Sequence, residues 1–174
     1  MIHREISIGT ARDADLDHLV ALDARSFSPA DRYRRREWAG ILNESLANGP
    51  SRLVVARAAG RVIGAVLVVP DVESMHVSIH SIAVDPRYRR IGLARRLLCA
   101  ALAPLADQSP QIRTVSLEVR VANTAARALY EQLGFRVSRQ MRKYYADGAA
   151  ALEYRAPLPN VLDACQAASA PAAD

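Results

Sequence analysis

Between Ile79 and Ala103 the sequence runs I-H-S-I-A-V-D-P-R-Y-R-R-I-G-L-A-R-R-L-L-C-A-A-L-A. It reads as an apolar strand carrying Ile82 and Val84, a break at Asp85-Pro86, a basic loop and then a helix. A helix begins with four N–H groups that lack intrahelical partners and with the positive end of its dipole. Gly92 has no Cβ to keep a ligand from the backbone. Arg87, Arg89, Arg90, Arg95 and Arg96 surround the turn. Basic side chains at a helix start oppose its dipole, and a bound polyphosphate removes that conflict. The other reading is a helix with a solvated basic first turn. The pattern is neither G-x-x-x-x-G-K-S/T nor G-x-G-x-x-G, which argues against a nucleotide P-loop or a dinucleotide turn.

Outward from this stretch, the rest of the chain supplies strands and helices of matching length. Glu5 to Ile8 alternates as an edge strand, and Thr10 or Asp13 can cap the helix that follows. Arg32 to Leu46 reads as a second helix, with Trp38, Ile41, Leu42 and Leu46 on its apolar side. Leu53–Ala56 and Val62–Val69 flank Ala59-Gly60 as a hairpin, and Ser74–Val84 forms a third strand. Pro104 is expected to end or kink the central helix. Thr114–Val119 is a strand with Val115, Leu117 and Val119 on one face and Ser116, Glu118 and Arg120 on the other. Asn123 caps a helix bearing Ala126, Leu129, Tyr130 and Leu133, which Gly134 stops. Phe135–Tyr145 and Ala149–Leu158 close the chain as a hairpin across Asp147-Gly148. The order β-α-α-β-β-β-α-β-α-β-β predicts one α/β domain over 1–158: a mixed, mostly antiparallel seven-stranded sheet with helices on both faces. Residues 159–174, rich in Ala and Pro, are expected to be a flexible tail.

A chain of 174 residues, half of them apolar, can bury one real core. No apolar run is long enough to cross a membrane, and the start has no signal-peptide character, so a cytoplasmic location is expected. Two cysteines make no disulfide framework, and Cys99 reads as a small core residue. No Cys and His cluster has metal-ligand spacing, so no metal is expected; His76 and His80 share a strand face but lie too far apart for one ion. The net charge of +5 permits an acidic partner, and nearly all the cation is arginine, which suits phosphate. A basic module for nucleic acid is a competing reading, weakened by the lack of interleaved aromatics.

Arg89, Gly92 and Ala94 fill the defined positions of Q/R-x-x-G-x-G/A, the pyrophosphate loop of the GNAT acetyltransferases. The segments Leu117-Glu118-Val119-Arg120, Ala128-Leu129-Tyr130 and Lys143-Tyr144-Tyr145 resemble the RimI-type N-terminal acetyltransferases, closely from about Ile79 to Leu158 and loosely before that. The resemblance implies an acetyl-CoA-dependent enzyme acting on a protein N-terminus, including a ribosomal one; a lysine or small-molecule amine is the alternative acceptor. It implies that Ile82, Ala83 and Val84 pair with the pantetheine arm, that Arg89, Arg90, Ile91, Gly92, Leu93, Ala94 and Arg95 hold the pyrophosphate, and that Asn123 bonds the coenzyme arm. By the same resemblance Glu118 is the general base and Tyr130 the acid for the leaving thiolate. From spacing alone Glu118 is a solvated strand residue and Tyr130 a core tyrosine. His80 is a second candidate base. Tyr144 and Tyr145 resemble the pair that grips the acceptor backbone, and Phe27 falls in the segment that sets acceptor choice. There the text, Phe27-Ser28-Pro29-Ala30-Asp31, departs from the F-P-W-like pattern.

Overall fold

The computed structural model describes residues 5–167. The strands are β1 (Ile6–Thr10), β2 (Arg52–Ala58), β3 (Arg61–Asp71), β4 (His76–Val84), β5 (Thr114–Arg120), β6 (Arg136–Met141) and β7 (Ala151–Pro157). The helices are α1 (Leu16–Ser26), α2 (Arg35–Leu46), α3 (Leu93–Leu102), α4 (Leu105–Gln108), α5 (Thr124–Gln132) and α6 (Leu158–Ala167). The strands form one seven-stranded sheet in the order β1-β2-β3-β4-β5-β7-β6, the mixed α/β fold expected from the sequence. Among the described residues two compact units are distinguishable, 5–69 with His80–Ala101, and Pro70–Ile79 with 102–167.

In the first unit β2 and β3 pair antiparallel across Ala59-Gly60. Both turn residues have positive φ (50° and 74°), the backbone of a two-residue hairpin that follows strand twist. Leu19 and Leu22 of α1, and Trp38 and Leu42 of α2, pack with Leu53, Val55, Ala65, Leu67 and Ala83 of the strands. Gly64 is required by close approach, because a Cβ there would lie 2.8 Å from the Leu97 side chain of α3. Two helix starts differ from expectation. Neither Thr10 nor Asp13 caps α1; the Asp15 carboxylate accepts from Arg12 N at 2.7 Å and pairs with Arg57, producing a 3-10 turn at Asp13–Asp15. α2 begins at Arg35 rather than Arg32, because Glu37 reaches back to the Arg34 N–H while Tyr33 N is bound by the Asp23 carboxylate at 2.9 Å.

In the second unit β4 runs parallel to β5 from His76↔Thr114 to Ile79↔Leu117, and β5 runs antiparallel to β7 from Thr114↔Pro157 to Arg120↔Ala151. α5 is capped as expected: Asn123 Oδ1 accepts from Ala126 N at 3.2 Å. Its end is a Schellman closure, with Gly134 at φ +89°, Gly134 N donating to Glu131 O and Phe135 N donating to Tyr130 O. The expected tail is corrected: residues 158–167 form α6, which buries Leu158, Val161 and Cys165, and residues 168–174 lie outside the described residues. Pro159 is compatible with that helix because it occupies the first turn, where no N–H is needed. Cys99, read as a small core residue, is half-buried on α3, and neither cysteine is a free thiol.

Candidate active site

The first unit carries the basic loop. The Asp85 carboxylate is buried and accepts from Arg87 N at 3.0 Å, from the Arg87 guanidinium at 3.1 and 3.0 Å, and from Arg25 Nε of α1 at 3.2 Å. The Arg87 side chain is the main reason the Asp85 carboxyl is held down at about 2, against burial, which pushes it up. Arg87 therefore brackets the loop while its side chain stays largely exposed. Arg89 Nε donates to Val84 O at 3.2 Å. Arg90 and Gly92 both take positive φ (64° and 73°), on either side of the exposed Ile91. A Cβ on Gly92 would meet nothing within 4 Å, so open space lies over the backbone there. Gly92 O accepts from Arg96 N, so the N–H groups of Leu93 and Ala94 at the first turn have no helical acceptors. Positive-φ backbone, orphan N–H groups and guanidinium groups suit a pyrophosphate. Ala83 is buried between half-buried Ile82 and Val84. Phe27, the expected acceptor contact, packs against the α1–α2 core, and its carbonyl accepts from Arg32 Nε at 2.9 Å. His80 is exposed on β4.

The second unit carries the proposed acid and base. Successive β5 residues face opposite ways. Leu117 pairs with Tyr154 on the buried face, and exposed Glu118 pairs with Glu153 on the other. α5 lays Tyr130 on the Tyr154 side, with ring centroids 6.1 Å from Tyr154 and 5.9 Å from Phe135. Glu118 and Tyr130 thus flank the β5–β7 ladder from opposite sides. Burial first, and the charge of Tyr145 second, push the Tyr130 phenol well above its ordinary value.

The β6–β7 loop presents Tyr144 and Tyr145. Their N–H groups both donate to Ala149 O, at 3.0 and 3.1 Å, and their rings meet edge to face at 5.1 Å. Arg120 holds this loop in a way that sequence reasoning missed. Its guanidinium lies 3.9 Å from the Tyr145 ring centroid and gives Asp147 hydrogen bonds of 3.1 and 2.9 Å. The exposed Tyr144 phenol is raised by burial and by the charge of Glu118, and lowered by Arg139. Tyr144, Glu118 and Arg139 therefore share one neighbourhood. His76 is committed elsewhere: Nδ1 lies 2.7 Å from Thr114 Oγ1 and Nε2 lies 2.8 Å from Ser116 Oγ. Among the described residues no cluster of three His, Cys, Asp or Glu could hold a metal, and no helix is long and apolar enough to cross a membrane.

Residues 15–135 match the model of the acetyltransferase (GNAT) family. The chain belongs to the GNAT family. Its relatives include the N-terminal acetyltransferase A complex catalytic subunit NAA10 of Arabidopsis thaliana, 42% identical over 99 residues, which are 55% of this chain and 51% of that protein. The chain thus spans about half the length of that relative. The N-alpha-acetyltransferase RimI of Mycobacterium tuberculosis is 32% identical over 153 residues, 86% of this chain and 91% of the relative. Among solved structures, the ribosomal-protein-S18-alanine N-acetyltransferase of Escherichia coli superposes with a TM-score of 0.75 at 27% identity, covering 88% of this chain and 94% of that one. In this GNAT chain the loop from Asp85 to Ala94 lies inside the matched residues, and Tyr144 and Tyr145 lie beyond them.

Proposed function

We propose that this GNAT chain transfers an acetyl group from acetyl-CoA to the α-amino group of a protein N-terminus, a ribosomal protein included, in the cytoplasm. The observation that carries the reading is the presence in one unit of an exposed carboxylate on β5, Glu118, a buried phenol on α5, Tyr130, and the paired rings of Tyr144 and Tyr145. The names of the relatives support the acceptor class.

Acetyl-CoA supplies an activated thioester carbonyl. The loop N–H groups around Gly92 and the Arg89 and Arg90 guanidinium groups hold its pyrophosphate, and the Ile82–Val84 edge holds the arm. The incoming amine forms the C–N bond as the C–S bond breaks. Glu118, through water, takes the proton that the amine nitrogen loses. Tyr130, kept protonated by burial, gives its proton to the departing sulfur. Asn123 fixes the start of the helix that aims Tyr130. Tyr144 and Tyr145, braced by Arg120, hold the peptide backbone.

The acceptor class also follows from proton chemistry. A free α-amino group has a pKa of about 7.7–8.0, against about 10.4 for lysine. Near neutral pH roughly a tenth of α-amines are nucleophilic, and well under a hundredth of lysines. An exposed glutamate working through water suits the first. An unblocked peptide should therefore be acetylated at its terminus, and its N-terminally blocked, lysine-bearing version refused. Mass spectrometry of both peptides after incubation with acetyl-CoA decides it. Lysine acetylation with no terminal product would overturn the reading and establish a side-chain acceptor.

A further inference from the structure

Glu153 sits directly across the β5–β7 ladder from Glu118. Residues opposite one another on antiparallel strands point to the same face with Cβ atoms about 4.5–5.5 Å apart, and like charges there repel. Glu153 is nevertheless buried at 4% exposure, while Glu118 is exposed. Both Glu153 oxygens are occupied. Oε2 accepts from the Ser138 hydroxyl and lies 3.2 Å from Arg139 Nε, and Oε1 lies 3.1 Å from Arg155 Nη2. Burial pushes the Glu153 carboxyl up, but the Ser138 hydroxyl and the two guanidinium groups outweigh it and leave it below its ordinary value. It is a carboxylate that holds two arginines.

Those arginines lie one and two strands away from Glu118 in the sheet. Arg155 pairs with Ser116, which places it diagonally from Glu118 on the same face. Arg139 pairs with Glu153 from β6, and its charge is felt at Tyr144 together with that of Glu118. Three other charged or titratable groups of these strands have partners of their own. His76 of β4 is bound by Thr114 and Ser116, Arg120 of β5 by Asp147, and Arg136 of β6 donates to Phe135 O at 3.0 Å.

We propose that Glu153 is a positioning residue for the acceptor side of the site, binding Arg139 and Arg155 so that neither guanidinium pairs with Glu118. The inference rests on the reading of Glu118 as the base. Without Glu153, an arginine fork would engage the Glu118 carboxylate, occupy the oxygens that must reach water and amine, and make it a weaker base.

The test follows the Glu118 side-chain carboxyl by NMR across pH in the full chain labelled with 13C-glutamate, its signal assigned by loss in Glu118→Gln. In Glu153→Gln its titration should move down by about one pH unit or more, and turnover on a free-terminus peptide should fall roughly tenfold. In Arg139→Gln the titration should move up, because Glu153 keeps its charge while one cation is lost. Glu153→Gln with Arg139→Gln and Arg155→Gln should return the titration to the original position or above it and recover turnover. A folded Glu153→Gln protein whose Glu118 titrates unchanged overturns the proposal. If that variant fails to fold, an unmoved titration in Arg139→Gln does the same. Should the titrations move as expected while Glu118→Gln keeps full turnover, the shielding stands and the base assignment falls.

Discussion

At the scale of single residues, the reaction proposed here divides between a side chain that must be wet and one that must be dry. Glu118 is exposed and can pass a proton through water, whereas Tyr130 is buried and its phenol is pushed upward. A phenol raised in this way stays protonated throughout the neutral range, the state an acid for a departing thiolate requires. Tyr130→Phe preserves the ring contacts with Phe135 and Tyr154 and deletes only the hydroxyl. Glu118→Gln keeps shape and removes the charge. Each should lower turnover by about a hundredfold or more, the usual worth of a positioned proton donor or acceptor. Steady-state kinetics at saturating acetyl-CoA checks this, with coenzyme affinity measured separately. Near-normal turnover in Glu118→Gln would move the base role to His80 or to solvent.

At the scale of elements, the β4–α3 connection is built to present backbone. Asp85 fastens it to α1 through Arg25 and to itself through Arg87, while Arg90 and Gly92 turn the chain through positive φ. Gly92→Asp adds a side chain to open space, so the fold loses little beyond the cost of a positive φ, about 1–2 kcal/mol. The added carboxylate would stand where phosphate is proposed to lie. Acetyl-CoA binding should be abolished in a protein that still melts cooperatively; calorimetry showing unchanged affinity would remove the site from this loop. The legible features were those written locally. Gly134 and Phe135 announce the end of α5, Ala59-Gly60 the hairpin, and Asn123 its cap, because each acts on neighbours a few residues away. The strand and helix periods place most of the remaining elements for the same reason, though not the short α4 that follows Pro104. Features that depend on distant partners were not legible. Glu118 reads as an ordinary strand glutamate until the register sets Glu153 opposite it, and Arg120 until the hairpin returns Tyr145 and Asp147 to its side. α6 was missed because Ala and Pro composition hid the Leu158, Val161 and Cys165 spacing.

At the scale of the whole molecule, buried carboxylates of opposite character shape stability against pH. Asp85, held at about 2, contributes stability that is complete above the unfolded value of about 3.9 and is lost as pH falls towards 2. Asp23 has the opposite sign. It is buried at 2% exposure, and burial raises its carboxyl to about 6 against the pull of the Tyr33 N–H and the Trp38 indole. Its Oδ2 accepts from Tyr33 N, but among the described residues Oδ1 and Trp38 Nε1 lack hydrogen-bond partners of good geometry. The folded state therefore holds a proton at Asp23 that the unfolded chain has released between about pH 4 and 6. Stability contributed by this group is full below about pH 4, declines as pH rises to 6, and is absent above that. Removing the charge should stabilise the neutral protein and leave the acidic one nearly unchanged. Asp23→Asn is accordingly expected to melt higher at pH 7.5 by a few degrees, since about 1 kcal/mol moves Tm by roughly 2–4 °C in a chain of this size. At pH 4.5 the difference should shrink towards zero, because the wild-type carboxyl is then already neutral. Thermal unfolding followed by circular dichroism at both pH values makes the comparison. A loss of Tm at pH 7.5 would mean that the Asp23 charge is repaid by Tyr33 and the segment it holds ahead of α2.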